Sequence, residues 1–269
     1  MTVTPEEEGK SLGDVLRGRG FSRRLITKLK RIEGGILLEG KAVRSCDRVR
    51  AGQRLTVSED HKSTPTANPE LRVEILYEDS DVIVFDKPAM MPVHESVKHR
   101  GDTLANYFGA VCPEMTFRPV NRLDRDTCGC VAAAKSAYAA KQLGETLRKV
   151  YQGLIPPTKL SGGRVCAPIA RERQSIILRC VRADGKYSAT VWRVIQRRDD
   201  CALCEFILET GRTHQIRVHM AHIGLPLLGD DMYGGDCTVR SSQALICEEL
   251  SFVSPSSGET ITVRSRQQL

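Results

Sequence analysis

Along the chain, apolar positions recur first at helical spacing and then at strand spacing. Leu12, Val15 and Leu16 share one face of a helix that opens at Ser11, a favourable N-cap, and is broken by Gly18 and Gly20. A second helix, Ser22–Arg31, turns Leu25, Ile26 and Leu29 to one side and Arg23, Arg24, Lys28, Lys30 and Arg31 to the other; Gly34-Gly35 stops it. Short strands follow at Ile36–Leu38 and Arg54–Val57, with turn signals at Glu39-Gly40 and Ala51-Gly52. These elements make a compact unit over residues 10–57. Residues 58–70, polar with two prolines and no periodicity, read as a linker.

From Val73 the texture changes. Strands are expected at Val73–Tyr77, Val82–Asp86, Arg118–Leu123, Gly129–Ala134, Val150–Ile155, Ser175–Val181, Ser188–Ile195, Ala202–Glu209 and Ala244–Phe252. Helices are expected near Thr103–Val111, over Ala137–Arg148 and over Thr213–His222, the last closed by Gly224 with Pro226 beyond. Many strands, few helices and no βαβ rhythm predict an α+β chain: a small helical and hairpin unit, then a larger domain over 71–269 on a mixed, mainly antiparallel β-sheet.

Charge sharpens the division. Lys10 to Val57 carries 13 Lys and Arg against four Asp and Glu, a net +9, which leaves about −2 for the rest of a chain whose total is +7. The bland account of Ser22–Arg31 is a solvated cationic face. Five cations in nine residues without interleaved acids favour a surface that grips a polyanion by releasing counterions from phosphates. No segment approaches the roughly 18 unbroken apolar residues of a membrane helix. The acidic N-terminus lacks a secretory pattern, so the cytoplasm is the expected compartment. The ten cysteines then read as reduced thiols. The close pairs Cys128/Cys130 and Cys201/Cys204 lie in apolar, strand-like runs, where a thiol is a small hydrophobe before it is a zinc ligand.

Two polar clusters can carry chemistry. Asn121-Arg-Leu-Asp-Arg-Asp-Thr-Cys-Gly129 lies between apolar runs, as a loop presented by strands. On spacing alone it is equally a charged turn, with Arg122 bridged to Asp126; paired acid–base carboxylates or a magnesium site would need a second acidic cluster that is missing. In Thr210-Gly-Arg-Thr-His-Gln-Ile-Arg-Val-His219, helical spacing puts His214 and Thr213 on the face of Arg217, while Ile216, Val218 and Met220 are partly buried. The histidines 214, 219 and 222 lack the zinc-protease arrangement, which makes His214 a hydrogen-bonding residue behind a site rather than a metal ligand.

Together the clusters resemble one family. Asn121-Arg-Leu-Asp-Arg-Asp-Thr-Cys-Gly is similar to the first signature of the RluA family of pseudouridine synthases, with Asn121 and Cys128 in place of the usual His and Ser; Gly211-Arg-Thr-His-Gln-Ile-Arg-Val-His matches its second signature throughout. Ile75-Leu-Tyr-Glu-Asp, Phe85-Asp-Lys-Pro, Lys149-Val-Tyr, Pro168-Ile, Gly229-Asp and Tyr233-Gly agree in order around them. The related RsuA family lacks the Thr-His before Gln-Ile-Arg. The front unit resembles the RNA-binding domain named after ribosomal protein S-four, which fits the RluA family's two-domain plan.

The resemblance implies the pseudouridine synthase fold for the larger domain and an isomerisation that needs no cofactor and no metal. It implies Asp124 as nucleophile towards a flipped-out uridine, Arg217 as the cation that keeps it ionised, and Tyr151 as the ring packed against uracil and able to take a proton. Arg122, Arg212, His214 and Lys149 are then substrate-binding residues, and Arg23, Arg24, Lys28, Lys30 and Arg31 the RNA grip of the front module. Structured RNA is the expected partner, large-subunit (23S) ribosomal RNA first, and a monomer the default. A transfer-RNA pseudouridine synthase and a non-catalytic RNA-binding ribosome-assembly protein are the alternatives.

Overall fold

The computed structural model describes residues 1–58, 65–173 and 177–269. The front unit holds helices α1 (Leu12–Gly18) and α2 (Arg23–Leu29) and strands β1 (Ile36–Leu38), β2 (Lys41–Ala42) and β3 (Leu55–Val57). Ser11 and Ser22 cap the helices by accepting from the backbone N–H of Asp14 and Leu25. Leu12, Leu16, Leu25, Ile26 and Leu29 fill a core separate from that of the rest of the chain. Strand β1 is central, antiparallel to both β2 and β3. The unit starts earlier than residue 10: Val3 is buried, its N–H donates to the Gln53 carbonyl, and Glu7 pairs with Arg19. The second helix is shorter than expected, ending at Leu29, so Lys30 and Arg31 sit at its C-terminal turn.

The larger unit contains β4 (Glu74–Glu78), β5 (Val82–Lys87), α3 (Leu104–Val111), β6 (Arg118–Pro119), β7 (Cys128–Ala134), α4 (Ala137–Thr146), β8 (Arg148–Ile155) and β9 (Gly162–Cys166). It continues through β10 (Ile169–Arg171), β11 (Arg179–Val181), β12 (Ala189–Arg197), β13 (Ala202–Leu208), α5 (Gln215–His222), β14 (Leu245–Val253) and β15 (Thr260–Arg264). A ten-stranded sheet runs β4-β5-β7-β14-β8-β13-β12-β9, with β15 added on β14 and β6 on β7. Among the described residues only β7 and β14 pair in parallel. The central strands β5 and β7 are buried from end to end apart from Cys128, as expected of unbroken apolar runs. Strands β10 and β11 form a separate antiparallel ribbon. No helix among the described residues is long and apolar enough to cross a membrane.

Departures from the sequence reading have local causes. The strand expected over Arg118–Leu123 shrinks to Arg118–Pro119, with one further backbone bond from the Val120 N–H to the Ala132 carbonyl. Asn121 takes over the pairing with its side chain, donating from Nδ2 to the Cys130 carbonyl (3.0 Å) and accepting from the Ala132 N–H (2.9 Å). The helix expected to reach Arg148 stops at Thr146, where the chain turns into β8. Strand β9, which begins Gly-Gly, and the short β2 and β10 carry too little β-propensity or length to show in the pattern; β15, Thr-Ile-Thr-Val-Arg, has both and is not among the expected strands. Of the strand expected over Ser175–Val181, only 179–181 is strand; its first two residues lie outside the described residues. So do 59–64 of the expected linker, whereas Thr66 and Asn68 are hydrogen-bonded to Asn106 of α3. The two units touch through α4: Phe21 stacks on Tyr138 (centroids 4.6 Å apart), and Lys141 donates to the Gly20 carbonyl (2.9 Å).

Candidate active site

A cleft of about 430 Å³, with an inner recess of about 60 Å³, opens on the face of the sheet where the β6–β7 loop meets the start of α5. Asp124, Tyr151, Arg122, Arg212 and Lys149 line the cleft; His214 and Arg217 line the recess, with Asp124 and Tyr151 between the two. All seven residues expected at a site are therefore brought together. The five cations of the front unit are elsewhere, exposed on and just after α2.

The loop carrying Asp124 is held from three sides. Asn121 ties its start to β7, and the Thr127 N–H donates to the Asp124 carbonyl. Gln243 donates to the Thr127 hydroxyl (3.2 Å). From below, the fully buried Lys87 donates to the carbonyls of Pro88, Met91 and Arg125 (2.8–2.9 Å), which satisfies the three donors of its ammonium. Burial lowers its pKa to about 8, against the pull of the nearby Cys128 and Asp126. At Gly129 the backbone is left-handed (φ +102°) and passes so close to Cys247 that a Cβ would strike the Cys247 carbonyl. The family's glycine there is thus a backbone requirement.

Two substitutions relative to the family signature are structural. Asn121 is buried and performs the pairing just described. The Cys128 thiol points to the Leu245 carbonyl (3.8 Å), between the two parallel strands. Asp126 pairs with its neighbour Arg125, not with Arg122, which removes the charged-turn account of Arg122. Among the described residues no group of three His, Cys, Asp or Glu is placed to hold a metal ion.

Helix α5 is buried on nearly every side rather than amphipathic. It also starts later than expected, because His214 is its N-cap in a left-handed conformation (φ 57°). That backbone costs on the order of 1 kcal/mol for a residue with a Cβ. Gln215 braces the turn: its carbonyl oxygen accepts from the Thr210 hydroxyl and the Arg212 N–H, and its amide donates to Ala189 and Thr190. The turn, not helical periodicity, therefore carries His214 to the cleft, and Thr213 lies outside the helix.

Arg217 makes a bidentate ion pair with the fully buried Asp230, both N–O distances 2.7 Å, and reaches Asp124 with Nη1 at 3.5 Å. Burial disfavours its charge, but the Asp230 pair outweighs that and raises its pKa further. Its guanidinium carbon also lies 5.0 Å from the centre of the Tyr233 ring. The Tyr233 hydroxyl accepts from the Arg179 N–H (3.0 Å) and meets His214 Nδ1 at 2.7 Å. In the tautomer whose Nδ1 accepts the phenol proton, the ring hydrogen is on Nε2, 3.8 Å from Asp124 Oδ2. Burial lowers the His214 pKa, against the pull of Asp124, and so favours the neutral ring. Tyr151 sits on β8 opposite Cys247 of β14, and burial, with Cys247 and Asp124 nearby, raises its pKa well above the usual tyrosine value. It is therefore held as a neutral phenol. His219 and its bonds to Thr190 and Ala167 are buried structure.

Lys87, Asp230 and Tyr233 had no role in the sequence reading. Their signal was only their place in the shared motifs Phe85-Asp-Lys-Pro, Gly229-Asp and Tyr233-Gly.

A family profile described as RNA pseudouridylate synthase matches residues 81–222, a span that contains both signature clusters. The chain belongs to the RNA pseudouridylate synthase family. It is 35% identical over 252 residues to a ribosomal large subunit pseudouridine synthase D of Xanthomonas campestris, covering 85% of this chain and 76% of that one. It is 36% identical over 245 residues to an uncharacterised RNA pseudouridine synthase of Bacillus subtilis, covering 85% and 80%. The fold agrees with that of human RNA pseudouridylate synthase domain containing 1, with a TM-score of 0.60 at 24% identity over 73% of this chain and 84% of that one. The resemblance read from the two signatures is borne out, and the protein is an RNA pseudouridine synthase.

Proposed function

We propose that this pseudouridine synthase acts on uridines of large-subunit ribosomal RNA in the cytoplasm, as a monomer, with Asp124 as its nucleophile. The observation that carries the nucleophile is the position of Asp124 between cleft and recess, with one carboxylate oxygen facing Arg217 and His214. The relatives named as ribosomal large subunit pseudouridine synthases in Xanthomonas campestris and Pseudomonas aeruginosa, the latter 35% identical over 226 residues, support the substrate.

In the reaction the bond from N1 of uracil to the ribose breaks, the base turns over, and C5 bonds to the ribose; a proton leaves C5 and one is gained at N1. A uridine must leave its stack to reach Asp124, at a cost of a few kcal/mol that is least in loops and bulges. Arg217, anchored by Asp230, supplies a fixed positive charge beside the carboxylate, in a pocket too buried to reorganise. Tyr151 forms an aromatic wall for the base; Arg122, Arg212 and Lys149 are at the rim to meet the flipped nucleotide's phosphate and sugar. The front unit, with Arg23, Arg24, Lys28, Lys30 and Arg31 exposed, grips RNA of the ribosome through its phosphates.

The test is pseudouridine formation in uridine-labelled 23S ribosomal RNA transcripts by wild type and Asp124→Asn. Wild type should form product and the variant none; equal yields would end the nucleophile assignment. Pseudouridine mapping in a deletion strain tests the substrate, and losses confined to transfer RNA would overturn it. Neutralising Arg23, Arg24 and Lys28 should weaken binding most at low salt; a salt-independent loss would mean that they act through folding.

A further inference from the structure

Beside the uridine cleft lies a second concavity, of about 480 Å³, between the β10–β11 ribbon and the turn that leads into α5. Its charged lining is Arg122, Arg171, Arg179, Lys186, Arg212 and a single acid, Asp184. Asp184 is already paired with Arg182 through both carboxylate oxygens. Among the described residues no carboxylate is within ion-pair distance of Arg122, Arg171 or Lys186.

The ribbon itself holds like charges together. Arg171 and Arg179 are directly opposite each other in the antiparallel register, an arrangement that costs stability in a sheet. Nor is the ribbon free to splay: Lys186 exchanges both backbone hydrogen bonds with Ile169 (2.9 Å each), and Gly185 runs against the Ile169 backbone so closely that no Cβ would fit. A rigid ribbon that presents opposed arginines and a lysine to an open concavity is a receptor for anions. The concavity is continuous with the cleft, since Arg122, Gly211, Arg212 and Thr213 line both. A strand whose nucleotide occupies the cleft therefore has this concavity in reach of its adjacent phosphates.

We propose that this groove is a second RNA subsite, which holds phosphodiester groups of the strand flanking the flipped uridine. The proposal rests on the RNA reading above and adds Arg171, Arg179 and Lys186 to the substrate contacts. Two sources of phosphate fit the chemistry, the RNA backbone and free phosphate. Continuity with the cleft favours the backbone.

The test is the double variant Arg171→Ala/Lys186→Ala, both positions exposed and outside the catalytic cleft. Binding of a fluorescein-labelled 23S transcript is followed by anisotropy from 50 to 300 mM KCl, and pseudouridine formation on the same transcript gives kcat and KM. Loss of two phosphate contacts should flatten the slope of log K against log salt by about 1.5 and raise KM at 0.1 M salt about tenfold or more, with kcat changed less than about twofold. The conservative pair Arg171→Lys/Lys186→Arg should retain the wild-type slope, which a merely structural role would not predict. Inorganic phosphate at 10 mM, against chloride at matched ionic strength, should alter RNA binding less than twofold. An unchanged slope and KM in the double variant, or selective displacement of RNA by inorganic phosphate, would overturn the proposal. Failure of the RNA reading would show instead as absence of product from the wild-type enzyme.

Discussion

Replacing Asp230 with asparagine removes the carboxylate that holds Arg217 while leaving a side chain of nearly the same shape. Arg217 is 4% exposed and Asp230 is fully buried, so the pair exchanges two short hydrogen bonds without solvent competition. Breaking one partner of such a pair costs about 3–5 kcal/mol, because the remaining charge stays buried. Asparagine still offers one acceptor, which places the expected loss near about 3 kcal/mol. For a domain of roughly 200 residues that is a fall in Tm of about 6–12 °C. Thermal unfolding by circular dichroism, repeated by urea titration, reads it directly. Below that transition kcat should also fall, since an unanchored guanidinium can swing onto Asp124 and neutralise it in a direct pair. The companion variant Arg217→Met/Asp230→Leu should recover much of the stability and none of the activity. A drop of less than about 2 °C in Asp230→Asn would refute the reasoning, because it would mean that the pair is not a buried anchor.

Other consequences follow from the same loop and helix. Between pH 8 and 10.5 an unfolded chain keeps the Lys87 proton that the folded chain has given up, so stability attributable to this residue rises with pH across that window. Wild type should gain up to about 2 kcal/mol relative to Lys87→Met between pH 7 and 10, and a flat difference in chemical denaturation would contradict the burial argument. Gly129→Ala should destabilise by at least about 1–2 kcal/mol from its left-handed backbone alone, before the clash with Cys247; a melting point equal to wild type would show that this turn can relax. Tyr233→Phe takes away the hydroxyl that bonds His214 Nδ1 and should lower kcat about fivefold, the worth of one hydrogen bond, with KM unchanged. An unaltered kcat would remove the His214 assignment.

The sequence was most readable where one physical signal acted alone. Strands β5 and β7 stood out because burial on both faces leaves unbroken apolar runs, and α1 and α2 because serine caps and apolar spacing agree. It was least readable where tertiary contacts replace local preference. Strand β9 opens with two glycines and is held by β12, and Asn121 does with a side chain what a strand backbone would have done. Helix α5 misled differently: helical spacing placed Thr213 and His214 inside it and on the face of Arg217, whereas His214 is a left-handed cap and Gln215, Arg217 and His219 are each buried against a specific partner. Five of the seven expected site residues came from the two clusters, and Lys149 and Tyr151 from the Lys149-Val-Tyr match to the family. Asp230 and Tyr233 escaped because their partners are 13 and 19 positions away, and no local spacing links them to Arg217 or His214.

The place of β14 has a consequence for how an active molecule is made. Strands β7 and β8 are separated in sequence only by α4, yet in the sheet β14 lies between them, paired in parallel with one and antiparallel with the other. The sheet beneath Asp124 and Tyr151 is thus a gap until a strand synthesised some ninety residues later is inserted into it. Contacts of such long sequence separation form slowly, since loop closure must precede them. During translation the β6–β7 loop, Tyr151 and Arg217 all emerge before the strand that sets their spacing. The cleft is therefore incomplete until β14 docks, when all of the chain but β15 and the C-terminal residues has been made.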